Sequence, residues 1–132
     1  MSMLELRALA EQAREEICAF AQRLIQIPSF PGKEQEAADL VRRELSALGI
    51  ENVSVDRVGN VLARLSGARR NTVMLHAHLD VVDPGDSSAW RYGPFSGQIA
   101  EGCIWGRGAS DDKASVVSQV FALGLLKRAG IS

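Results

Sequence analysis

Apolar residues fall at Leu6, Leu9, Ala13, Ile17, Phe20 and Leu24, three or four apart with charges between them. That spacing predicts one long amphipathic helix over residues 2–26. Ile27-Pro28-Ser29 ends it, because the residue before a proline is pushed out of the α region, and Pro31-Gly32 extends the break into a loop. The helical period resumes through Ala37, Leu40, Val41, Leu45 and Leu48, predicting a second helix over residues 33–48. Gly49 then stands at its left-handed C-terminus and Ile50 covers the cap. The charges between these apolar positions make a solvated face. Val53, Val55 and Val58 predict a strand, Gly59-Asn60 a break, and residues 61–65 its antiparallel partner.

After the polar cluster Ala68-Arg69-Arg70-Asn71, the apolar run at residues 72–75 has no helical period and predicts a short strand buried on both faces. Alternate side chains of an extended chain share a face, so His78 and Asp80 project together where this strand ends, the place where open α/β sheets keep their chemistry. Asp83-Pro84-Gly85-Asp86 reads as a turn, and the loop with Trp90, Tyr92, Pro94 and Phe95 is aromatic enough to pack, against a pocket or the core. Residues 98–105 read as a hairpin around Glu101-Gly102, followed by the permissive Gly106-Arg107-Gly108. Ser110 is the expected N-cap of a helix over residues 114–126. That helix is apolar nearly all round and so needs cover on more than one side; Lys127-Arg128-Ala129-Gly130 ends it. Two helices, three strands, a hairpin and a helix make an α/β arrangement that looks unfinished.

Composition narrows the function classes. At 132 residues with 46% hydrophobic content the chain can bury the core of one domain. Fifteen Lys and Arg against 16 Asp and Glu leave a net charge of -1 without a basic block, which argues against a nucleic-acid partner. Cys18 and Cys103 form no C-x-x-C pattern, so neither a disulfide framework nor a cysteine zinc site is expected. The N-terminus is too charged for a secretory signal and residues 114–126 are too few to span a bilayer, giving the expectation of a soluble, cytoplasmic protein with no membrane partner.

The candidate chemistry is metal binding. His78 and Asp80 form an isolated H-x-D triplet, but Asp111 follows a flexible glycine loop at an expected helix N-terminus, so an imidazole and two carboxylates can converge. These donors suit zinc and related ions, and a carboxylate can bridge two ions about 3.5–4 Å apart, a role for which Asp111 is the candidate. Asp80 is either a ligand or, as the favoured reading, the acceptor that orients a ligating His78. His76 shares the parity of His78 but lies deeper, as a core or supporting histidine. Asp112 and Lys113 read as helix-start charge and an ion-pair partner. Ser110 fits no G-x-S-x-G elbow and Cys103 has no activating base, so nucleophilic catalysis is not expected.

The motifs HAHLDVV, the W-x-x-x-PFSG loop at residues 90–97 and EGCIWGRGASDDK resemble the two-zinc metallopeptidase superfamily of acetylornithine deacetylase, succinyl-diaminopimelate desuccinylase, aminoacylase, carnosinase-like dipeptidases and glutamate carboxypeptidases. The likeness extends to Ile27-Pro28-Ser29, Glu34, the LGI turn and the GNVLA strand; Ala114 stands where many relatives have glycine. It implies a three-layer α/β/α catalytic domain of which residues 1–132 are the N-terminal portion, without the lid or dimerisation domain and without the C-terminal half. It implies zinc, two ions in the complete site with cobalt or manganese as substitutes, with His78 binding one ion, Asp111 bridging both and Asp80 orienting a ligand. The expected substrate is a small peptide or N-acyl amino acid, with a homodimer at full length or a complementing chain as partner. Family members continue with a glutamate pair that includes the general base, a further acidic ligand and a distal histidine, for which residues 1–132 offer no counterpart. The rival expectation is a truncated, non-catalytic product.

Overall fold

The structure, a computed structural model, describes residues 2–68 and 71–131, so Arg69 and Arg70 of the expected polar cluster lie outside the described residues. The chain runs through α1 (Met3–Gln12), α2 (Arg14–Ile25), α3 (Gln35–Ala47), β1 (Asn52–Val55), β2 (Val61–Arg64), β3 (Gln98–Ala100), β4 (Cys103–Trp105) and α4 (Lys113–Arg128). Among the described residues, β1–β2 and β3–β4 form two separate two-stranded antiparallel sheets. Among the described residues, no helix is long and apolar enough to cross a membrane.

The core is a helical wedge. α2 packs on α4, and α3 closes against both. Phe20, Leu24, Leu40, Val41, Leu45, Val117, Val120 and Phe121 fill the space between them, with the Phe20 and Phe121 rings 6.0 Å apart. Each such side chain, fully buried, contributes about 1.5–3 kcal/mol. Gly124 lets α3 and α4 touch, since a Cβ there would lie 2.9 Å from Leu48 Cδ1.

The apolar periods of the first and second helices recur in the structure, with one interruption. Instead of a single helix over residues 2–26, the chain breaks at Ala13, which is buried and has φ -85° and ψ 2°, outside helical geometry. α1 opens on a Ser2–Glu5 capping box but buries no side chain. α3 ends as expected: Gly49 has φ 83°, the Ile50 amide donates to the Leu45 carbonyl at 3.0 Å, and Ile50 is buried over the cap. Val58 belongs to the connection rather than to β1, because Asp56 Oδ1 accepts from the amides of Val58 and Asn60, both at 2.9 Å, and closes the turn. β3 and β4 turn at Glu101 and Gly102, both with positive φ, the geometry of a tight two-residue hairpin.

Two expectations are corrected. Residues 72–75 are extended but form no strand, and far from being buried on both faces, Val73 and Met74 are 84% and 85% exposed. A strand exists through its ladder and is buried through its layers, and among the described residues none lies alongside this segment. Ser110 is not the N-cap of α4; that position falls to Asp112 after a turn through residues 108–112, in which the Lys113 amide donates to the Gly108 carbonyl at 3.0 Å.

Lys113 departs furthest from its expected role. It is not a surface ion-pair partner but fully buried, and its Nζ donates to the carbonyls of Leu24 at 2.8 Å and Ile27 at 2.6 Å. These carbonyls lie at and just beyond the end of α2, where Leu24 also accepts from the Ile27 amide at 3.3 Å and a cation meets the negative end of the helix dipole. Burial alone lowers the Lys113 pKa from its ordinary value to about 8.

Gly108 sits in this contact with φ +82°, and a Cβ there would clash with Val81 while touching the Lys113 stem at 3.4 Å; at Gly102, φ +75°, the same atom would meet nothing within 4 Å. Gly108→Ala is therefore expected to cost about 3 kcal/mol, backbone strain plus overpacking, against about 1 kcal/mol for Gly102→Ala. Gly124→Val should likewise cost about 2–3 kcal/mol by forcing α4 off Leu48. Urea unfolding of the three variants beside the parent chain checks both expectations.

Candidate metal centre

Four acidic and imidazole side chains converge where the 78–80 segment meets the start of α4. His78 Nε2 lies 3.0 Å from Asp111 Oδ1, and His78 Nδ1 lies 3.2 Å from Asp80 Oδ1 and 3.1 Å from the Asp80 carbonyl oxygen. The His78 backbone amide donates to Asp112 Oδ2 at 3.3 Å. Thus the structure brings His78, Asp80 and Asp111 together and adds Asp112, which the sequence reading treated as helix-start charge. The peptide between Asp111 and Asp112 is cis. His76 stays outside the cluster, exposed, with its carbonyl accepting from Gln119 Nε2 at 2.8 Å.

The electrostatics of the cluster favour a cation. Burial pulls the His78 pKa down, but the Asp111 hydrogen bond, the Asp80 carbonyl and the charges of Asp80 and Asp112 outweigh it, and the net shift is upward. The Asp112 carboxyl is held below its ordinary range, first by the Ser115 side chain, against burial, and then by the His78 amide and the imidazoles of His78 and His76. A neutral imidazole carries a single N–H, yet oxygen acceptors face both ring nitrogens of His78. Either an imidazolium or a cation on the Nε2 side satisfies that geometry.

The donor set fits one edge of a metal coordination sphere. Two ligands at about 2.0–2.2 Å and a tetrahedral angle stand roughly 3.3 Å apart, close to the 3.0 Å between Nε2 and Asp111 Oδ1. With Asp80 taking the Nδ1 proton, the Nε2 lone pair is turned toward Asp111. The Asp111 side chain is 91% exposed and that of His78 44%, so an ion could reach the pair from solvent. Among the described residues, no group of three or more His, Cys, Asp and Glu side chains forms a full metal-holding set.

Ser29, Val81 and Lys113 surround this edge without belonging to it. Ser29 is fully buried; its Oγ donates to the Leu79 carbonyl at 2.6 Å and its backbone carbonyl accepts from the Val81 amide at 2.9 Å, bracketing Asp80. The sequence reading gave neither Ser29 nor Lys113 a part in the site. The signal for Lys113 was present: a basic residue opening a helix that is apolar nearly all round has no wet face of its own. Beyond the loop, Arg107 lies over the Trp90 ring at 5.1 Å with its Nε buried and unpartnered, and Tyr92 packs edge-on against Trp105, so the aromatic loop does pack rather than wave.

Comparisons with known proteins point one way. The model of peptidase family M20/M25/M40 matches residues 74–132, which include His78, Asp80 and Asp111. Succinyl-diaminopimelate desuccinylase of Cereibacter sphaeroides is 45% identical over 103 residues, 75% of this chain and 27% of the relative. The enzyme of the same name from Caulobacter sp. is 38% identical over 112 residues, 83% of this chain and 29% of the relative. The crystal structure of an M20 family metallo-carboxypeptidase from Sulfolobus solfataricus has a TM-score of 0.79 at 24% identity, covering 87% of this chain and 28% of that one, and it shows the same fold. The chain thus spans a little over a quarter of the length of the curated relatives it matches. Family model, sequence identity and fold coincide on the stretch that carries the imidazole and carboxylates, where residues 74–132 match peptidase family M20/M25/M40.

Proposed function

We propose that this chain is a portion of the catalytic domain of a metal-dependent amide hydrolase, acting on an N-acyl amino acid or a small peptide. The observation that carries the reading is the His78 imidazole held between Asp80 Oδ1 and Asp111 Oδ1 at 3.2 and 3.0 Å. In this reading His78 binds one ion through Nε2, Asp111 bridges two, and Asp80 fixes the ring by taking the Nδ1 proton. Zinc is the ion that imidazole and carboxylate donors suit best, with cobalt or manganese as substitutes. When bound, such an ion polarises the substrate carbonyl and lowers the pKa of water at the site.

The residues of this chain hold and orient. Asp111 offsets the positive charge and Asp80 keeps the imidazole in the ligating tautomer. Asp112, bonded to the His78 amide, ties the imidazole-bearing segment to the start of α4. Both kinds of relative break an amide: a desuccinylase removes a succinyl group, and a carboxypeptidase cuts a peptide. The identity over 103 residues favours the N-acyl amino acid. Two ligands cannot complete two tetrahedral sites, so the remaining ligands and a general base come from outside the described residues, from a homodimer partner, a complementing chain or further sequence. Free Cys18 and Cys103 fit a reducing compartment, and we place the protein in the cytoplasm.

Zinc titration of the parent chain and variants tests the reading. His78→Ala and Asp111→Ala are expected to weaken zinc binding by more than about 100-fold, and Asp80→Asn, which leaves both ligands, by about 10–100-fold. In a protein of the relatives' length, His78→Ala should abolish release of succinate from an N-succinyl amino acid. Unchanged metal content and turnover in His78→Ala and Asp111→Ala would overturn the proposal.

A further inference from the structure

We infer that the turn from Ile27 to Ser29 is the gauge that sets the separation of the two halves of the metal centre, with Ser29 and Lys113 as its positioning residues. His78 and Asp80 lie on one segment, Asp111 on another, and among the described residues no strand ladder joins the two. Beside the bond from the His78 amide to Asp112, both are tied to the same three-residue turn. Ser29 grips the first, its Oγ donating to the Leu79 carbonyl at 2.6 Å and its backbone carbonyl accepting from the Val81 amide at 2.9 Å, one bond on each side of Asp80; only the first is lost in Ser29→Ala. Lys113, two residues beyond Asp111, grips the turn from the other side through the Ile27 carbonyl at 2.6 Å and the Leu24 carbonyl at 2.8 Å.

The arrangement is rigid for physical reasons. Ser29 and Lys113 are both 0% exposed, so water cannot replace the bonds they make. Pro28 fixes one backbone angle between the two grips. Gly108 admits Val81 at a distance no Cβ would allow, and a Cβ there would stand in ordinary contact with the Lys113 stem at 3.4 Å, so the two tethered segments pack together at this glycine. Ser29 and Lys113 direct these bonds to backbone groups and not to the His78 or Asp111 side chains. Their effect on the centre passes through the backbone they hold, the way supporting residues commonly orient metal ligands.

The inference rests on the reading of His78 and Asp111 as metal ligands for its consequence, but the geometry it concerns is measurable without metal. The experiment records the His78 ring 15N and 1H signals of the whole chain at one fixed pH, first metal-free and then with added zinc, together with thermal unfolding. Ser29→Ala and Lys113→Met are compared with the parent, with Ser29→Thr, which keeps the hydroxyl, and with Leu45→Ala, a core truncation in α3 that lowers stability away from the turn. The expected result is that Ser29→Ala and Lys113→Met move the metal-free His78 signals and weaken zinc binding about 10-fold or more, while Ser29→Thr restores them and Leu45→Ala leaves them in place. Each substitution releases only one segment, so if one variant does not fold the other decides. If the His78 signals move no more than in Leu45→Ala, the turn is ordinary core and the inference is overturned. If they move as expected while the parent's His78 does not respond to zinc, the positioning role stands and the metal reading fails.

Discussion

A buried ammonium group is the constraint on which the rest of this structure depends. Taking a lysine out of water is costly, and the drop in the Lys113 pKa to about 8 records that cost. It is offset because two carbonyls at and just beyond the end of α2, those of Leu24 and Ile27, accept hydrogen bonds from the ammonium. A lysine so placed cannot drift: moving α4 by a turn would strand both the cation and its acceptors. The start of α4, and with it Asp111 and Asp112, is therefore registered against α2 by electrostatics rather than by apolar packing, which tolerates sliding far better.

Around that point the fold divides its labour. The apolar faces of α2, α3 and α4 meet through Phe20, Leu45, Val120 and Phe121 and supply most of the stabilisation. Glycines set how closely the elements approach: Gly124 between α3 and α4, Gly106 against Ile25, and Gly108 between Val81 and Lys113. Gln22 and Gln26 on α2 then reach the carbonyls of Gly97 and Ser96 at 2.9 and 3.0 Å, fastening the β3–β4 hairpin to the same helix. α2 is thus the common support of the core, the hairpin and the metal centre.

Much of this was legible in the sequence, and the boundary of legibility has a physical explanation. α3 with its Gly49 cap, both hairpins and α4 follow from local rules of period, turn and cap, and they formed near where those rules put them. The H-x-D triplet and the aspartate after the glycine loop were likewise readable, because ligand chemistry is restrictive about residue type. Three features were missed, two of them because they depend on partners far along the chain. Residues 72–75 carry the composition of a buried strand but find no ladder among the described residues. Lys113 looked like a surface charge because its acceptors lie 86 and 89 residues away. The break at Ala13 leaves no mark in an apolar period that runs straight through it.

That break separates two regimes of stability. α1 buries no side chain and is held by its capping box, the exposed Arg14–Glu11 pair and light packing on its neighbours, so it belongs to the low-energy end of local opening. Its amides are the ones that solvent deuterium reaches first. Ala13 still donates to the Leu9 carbonyl at 3.1 Å and accepts from the Ile17 amide at 2.9 Å, so α1 stays joined to α2 across the change of backbone angle. Loosening α1 leaves the buried contacts of α2, and with them the carbonyls that hold Lys113, in place.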